Sequence, residues 1–131
     1  MTAHELLTDA AAFLLGVIAI ARATRLVTAD DWPPIAWVRD RWELATAYRD
    51  GEGKPLRDNR GDLVPGPWTK LLTCPFCFAP YPTAVALAAA IWADIWTPDL
   101  TTFGGWWWTF AVWAAASYLA AMLVVRDEPA D

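Results

Sequence analysis

The chain has 131 residues, 56% hydrophobic and 19% charged, with ten tryptophans and a formal net charge of −5. Such a surplus of apolar side chains excludes disorder, and 15 acidic against 10 basic residues argue against a nucleic-acid partner. Two cysteines are too few for a disulfide framework, so a small membrane protein or an apolar helical domain remains.

Residues 10–21 (AAAFLLGVIAIA) carry no charged or hydrogen-bonding side chain. Extended to about residues 6–27, this run is long enough to span a bilayer. A secretory signal peptide is the competing reading, with Ala19, Ala21 and Ala23 as small residues for a cleavage site. The preceding residues argue against it, because they hold Glu5 and Asp9 and no Lys or Arg. Arg22 and Arg25 follow, three apart on one helical face, with Thr28, Asp30 and Asp31 after them. They are expected to be the positive-inside anchor of the span end; the competing reading is a fixed salt-bridge node that binds a phosphate headgroup or a partner.

Pro33-Pro34 opens an expected amphipathic helix over about residues 34–49. At about 100° per residue, Ile35, Trp37, Val38, Trp42, Leu44, Ala45 and Tyr48 share one half. Arg39, Asp40, Glu43, Thr46 and Asp50 share the other, and Arg41 and Arg49 fall among the apolar residues with stems that can snorkel. This pattern suits a helix lying on the membrane surface, with Trp37 and Trp42 as anchors, or one packed on the protein's own spans. Residues 50–70 read as an irregular loop rich in turn residues, with a short hairpin flanked by residues 54–57 and 62–64. The whole segment 22–81 holds nine basic and eight acidic residues, which favours specific contacts over a polybasic lipid anchor.

Cys74-Pro75-Phe76-Cys77 is the sharpest local motif. It allows a redox dithiol, with Cys74 at a helix start where a thiolate is stabilised. It also allows half of a zinc site, completed as Cys₄ by a second copy of the chain, since the lone His4 belongs to the far end. The third reading is two thiols packed at an interfacial turn, with no cofactor, and this is the expectation adopted here.

Residues 82–97 form the second expected span and residues 104–125 the third. The third is 22 residues without a charge, about 33 Å of helix against a hydrocarbon core of roughly 30 Å. Asp94 is a carboxylate inside the second expected span, and its place near Pro98, Trp92 and Trp96 suggests an interfacial, solvated group. Trp92, Trp96, Trp106, Trp107 and Trp108 cluster around the 97–103 connection as an aromatic belt. Nine of the ten basic residues lie between Arg22 and Lys70, the tenth is Arg126, and residues 97–103 have none. The positive-inside rule then places the N-terminus outside, with the large loop and the C-terminal tail cytoplasmic.

The stretch from Arg22 to Asp30 (RATRLVTAD) and the stretch from Leu71 to Cys77 (LLTCPFC) together resemble a family of small integral-membrane proteins. That family occurs in bacteria and their phages, is grouped as a domain of unknown function, and includes a sporulation-associated member. An Arg-rich stretch ends its first span, and Cys-Pro-x-Cys opens its second. The similarity covers roughly residues 10–96 and implies a multi-pass protein of a bacterial or phage-host cytoplasmic membrane, without an assigned activity.

The chain is therefore expected to be all-α, with three spans in one membrane domain. No nucleophile–base pair, phosphate loop or carboxylate dyad is visible, so a non-enzymatic role through lipid or protein contacts is expected. Membrane lipids, a second copy or another membrane protein are the expected partners. A holin-like lysis accessory and a zinc or redox sensor are the rival functions.

Overall fold

The structure, a computed structural model, describes residues 2–127 and is helical, with no strands among those residues. Five α-helices follow one another: α1 (Ala3–Thr28), α2 (Pro33–Thr46), α3 (Pro75–Phe78), α4 (Pro80–Trp92) and α5 (Phe103–Arg126). Helix α1 starts in a reciprocal cap: Thr2 Oγ1 accepts from the Glu5 N–H, and the Glu5 carboxylate accepts from the Thr2 N–H. Helix α5 starts on Thr102, whose hydroxyl accepts from the Gly105 N–H.

Three helical segments are long and apolar enough to cross a membrane: Ala3–Thr28, Pro75–Trp92 and Phe103–Arg126. The middle one combines α3 and α4. Ala79 joins them in helical conformation, and Pro80 and Pro82 sit in the first turn of α4, where missing N–H groups cost little. This segment starts seven residues before the expected position 82 and stops at Trp92 instead of 97. The stop has a local cause. Asp94 takes a left-handed conformation (φ 56°), and the Ile95 and Trp96 N–H groups turn back onto the Ala90 carbonyl. Asp94 thus lies in an exposed turn outside the helix.

The packing between α1 and α5 is built from small and β-branched residues. Val17, Ile20 and Ala21 meet Ala116, Ala120 and Val124, and all six are buried. Large apolar side chains point the other way: Leu7, Leu15, Ile18, Val85, Phe103 and Trp108 are mostly exposed. A water-soluble bundle puts its large apolar residues inside, whereas helices in lipid pack through small residues and turn the large ones to the hydrocarbon. Three hydroxyls in the spans are satisfied within their own helices: Thr28 donates to the Thr24 carbonyl, Thr83 to Ala79 and Ser117 to Trp113, at 2.9, 2.7 and 2.7 Å, whereas the buried Thr24 hydroxyl has no partner among the described residues. The Trp113 indole N–H crosses to the Pro80 carbonyl at 2.9 Å and ties the start of α4 to the middle of α5.

Helix α2 ends at Thr46, three residues short of the expected 49, because Tyr48 leaves to pair with the following loop. The segment expected to be irregular is organised by one turn used twice. Arg49-Asp50-Gly51-Glu52-Gly53 and Arg57-Asp58-Asn59-Arg60-Gly61 share the pattern Arg-Asp-x-x-Gly, eight residues apart. In each, the Asp Oδ1 accepts two backbone N–H groups, from Glu52 and Lys54 or from Arg60 and Asp62. In each, the Arg guanidinium donates to the Gly carbonyl, at 2.8 and 2.7 Å. Gly53 and Gly61 have φ of 79° and 85°, which a side chain would disfavour. The three flanking segments close on one another: Tyr48 N–H donates to Val64, Val64 to Leu56, and Leu56 to Tyr48. Bridges form between Arg49 and Pro55 and between Arg57 and Leu63, near the flanks expected for a hairpin.

Candidate functional site

The basic residues gather where α1 and α5 both end. Asp30 folds back under the last turn of α1, with its N–H donating to the Arg25 carbonyl at 3.0 Å. Its carboxylate meets Arg22 at 2.7 Å and Arg25 at 3.4 Å. Arg25 also pairs with Asp127, just past α5. Arg39 completes the node from α2, donating to the carbonyls of Val27 at 3.0 Å and Asp30 at 3.3 Å. Three guanidinium groups thus gather on two carboxylates and on the carbonyls of Val27 and Asp30 at the end of α1, where positive charge offsets the negative end of the helix dipole. Arg22 remains largely exposed and Arg25 partly so, which leaves donors for an outside anion.

The sequence offered Arg22, Arg25 and Asp30 as a node only as the alternative to a plain span anchor, and the structure brings the three together. It missed Arg39 and Asp127. Arg39 belonged to the polar half of α2 by periodicity, but its stripe is the one that packs. Ile35, Arg39, Trp42 and Thr46 are half-buried against the protein, and the Thr46 hydroxyl contacts that of Thr69 at 2.9 Å. Trp37, Val38, Leu44 and Tyr48 are exposed instead. Arg41 lies over the Trp37 ring at 5.2 Å from its centroid, an arrangement that holds the guanidinium against the exposed apolar stripe. Trp42 is therefore set apart from Trp37: its indole N–H donates inward to the Trp68 carbonyl at 2.9 Å.

Cys74 caps the start of α3, and its carbonyl accepts from the N–H groups of Cys77 and Phe78 at 3.1 Å each. Cys74 is half-buried and Cys77 exposed, both as free thiols. Burial pushes the Cys74 thiol up. The Cys77 thiol, the N–H groups of Cys77 and Phe76 and the Lys70 charge outweigh that, and hold it below the ordinary cysteine value. Among the described residues no group of three His, Cys, Asp or Glu side chains comes together. Cys74 and Cys77 alone would supply two of the four ligands of a tetrahedral metal site.

The remaining expected anchors lie at the opposite end of the bundle. The Trp106 indole N–H donates to the Leu100 carbonyl at 2.8 Å and clasps the 97–102 connection to α5, while Trp107 and Trp108 are exposed. Trp96 is half-buried and its indole N–H finds no partner among the described residues. The same end holds a cleft of about 570 Å³ between α1, α4 and α5, which the sequence did not reveal. Its rim carries Asp9 and Asp99, and its walls are formed by apolar side chains. Asp99 is held below the usual carboxylate range by the hydroxyl and N–H of Thr101, at 2.5 and 3.1 Å. No protein-family model, no curated protein and no solved structure matches the chain.

Proposed function

We propose that the protein is a three-span membrane scaffold of bacterial or phage origin, non-enzymatic, that presents a cytoplasmic platform at the inner membrane surface. The observation that carries this reading is the inverted packing of the helices, with small residues between them and large apolar residues outward. The platform comprises the arginine node, α2 and the paired turns. Segregation of all ten basic residues to one end of the bundle supports the orientation with that end inside. The exposed stripe of Trp37, Val38, Leu44 and Tyr48 suits burial in the headgroup region, with Arg22 and Arg41 reaching lipid phosphates. The resemblance carried by RATRLVTAD and LLTCPFC supports the bacterial or phage assignment.

Membrane fractionation and reporter fusions test the reading. The chain should stay in the pellet through alkaline and high-salt washes and dissolve only with detergent. A reporter fused after Lys70 should read cytoplasmic, and one within residues 97–103 external. Recovery of a soluble monomer without detergent would overturn the architecture.

A second reading rests on Cys74 and Cys77, one helical turn apart with one of them exposed. Two copies would supply the four thiolates that zinc prefers. Protein purified in mild detergent would then hold about half a zinc per chain, and chelation would weaken self-association. Metal-free protein with unchanged self-association sinks that reading.

A further inference from the structure

We propose that the cleft between α1, α4 and α5 is a binding site for an amine-headed phospholipid of the outer leaflet, one acyl chain lying between the helices and its ammonium group between Asp9 and Asp99. The proposal rests on the membrane reading above and deepens it. The cleft's volume, about 570 Å³, falls in the range of small-molecule sites. Along α1 it runs from Asp9 to Ile20, and along α5 from Gly105 to Ala116. Each stretch is about 16 Å of helix, half of a hydrocarbon core of roughly 30 Å. That depth is one leaflet. It suits a lipid tail and is too short for a partner's transmembrane helix. Phe13, Val17, Leu87 and Val112 supply the apolar wall that a tail requires.

The rim decides the headgroup. Asp9 and Asp99 carry no salt bridge among the described residues. No Lys or Arg precedes Arg22 or falls within residues 97–103, so no lysine or arginine neutralises this end, where His4, one turn from Asp9, is the lone basic side chain among the described residues. An anionic headgroup would be repelled there, while a primary ammonium brings positive charge and three N–H donors to the carboxylates. The Asp99 carboxylate accepts from Thr101 through one oxygen, Oδ1, leaving Oδ2 to accept from a ligand. Trp96 and Trp108 line the same cleft and add aromatic faces that favour a cation. Thr97, also on the rim, offers a hydroxyl to the lipid phosphate.

Native mass spectrometry of the full chain, delipidated in mild detergent and titrated with phosphatidylethanolamine or phosphatidylglycerol, tests this. The ethanolamine lipid should be retained at least three-fold better. Asp9→Asn with Asp99→Asn should abolish that preference, while Glu52→Gln with Asp62→Asn, which removes two charges elsewhere, should leave it intact. Gly16→Phe is the second probe: a Cβ at Gly16 meets nothing within 4 Å, and the ring would fill the cleft. It should reduce retention of both lipids. Equal retention of the two lipids, a preference that survives the double Asn variant, or undiminished binding to Gly16→Phe would overturn the proposal. A protein that stays in the membrane pellet yet shows any of these results defeats the lipid site alone, whereas loss from the pellet defeats the membrane reading itself.

Discussion

Arg25 and Asp127 lie 102 residues apart in sequence and form an ion pair at the common end of α1 and α5. The pair closes the end of two helices that the packing of Val17, Ile20 and Ala21 on Ala116, Ala120 and Val124 sets side by side in the same direction, with α4 returning the chain. It also makes the residue after α5 part of the node that Arg22, Asp30 and Arg39 build.

The node's members should differ in weight. Asp127 is largely exposed, so a double-mutant cycle with Arg25→Met and Asp127→Asn should give a coupling of about 0.2–1 kcal/mol. Asp30→Ala should cost more, about 1.5–3 kcal/mol, because it leaves two guanidinium groups without their shared, mostly buried acceptor. Reversible unfolding in mixed detergent micelles measures both. An Asp30 variant no weaker than the Asp127 variant would show that the node is not centred on Asp30.

Neighbouring glycines at the start of α5 should respond oppositely to alanine. A Cβ on Gly105 would fall inside the carbonyl oxygen of Asp99, whereas one on Gly104 meets nothing within 4 Å. Gly105→Ala should destabilise by about 1–3 kcal/mol through overpacking. Gly104→Ala should be neutral or stabilising by up to about 1 kcal/mol. Thermal unfolding of the two variants under one set of detergent conditions reads the contrast directly.

The repeated turns should fail together. Gly53→Ala or Gly61→Ala forces a side chain into a left-handed conformation, at about 1–2 kcal/mol each. Because Tyr48, Leu56 and Val64 bond in a closed ring, either change should raise hydrogen exchange at all three amides. Exchange confined to the altered turn would show that the ring does not act as one unit.

Cys74 should be alkylated by iodoacetamide at lower pH than an unperturbed thiol of pKa about 8.5, since its thiolate is favoured. Cys77→Ala removes a hydrogen bond to that thiolate and Lys70→Met removes a nearby positive charge. Each should move the midpoint of the Cys74 alkylation profile upward. Unmoved profiles in both variants would mean that neither group supports the thiolate.

Much of this architecture was legible in the sequence. Uncharged runs marked the helical spans, because a charge in hydrocarbon is costly wherever it falls. The placement of lysine and arginine marked one end of the bundle, and Arg-Asp-x-x-Gly occurring twice was readable as a repeated turn, although composition pointed only to an irregular loop with a short hairpin. These properties depend on neighbours within a few residues. The rotation of α2 did not follow from its pattern, since Arg39 and Trp42 had a carbonyl cage and the Trp68 carbonyl waiting on one side. The end of α4 did not follow either: the apolar run continues through Ile95 and Trp96, and only the left-handed turn at Asp94 stops the helix. Sequence by itself determined which segments leave water and which end of each carries charge. Tertiary structure alone decided which acid meets Arg25, which face of α2 packs and where a cleft opens, because each depends on groups brought together from distant parts of the chain.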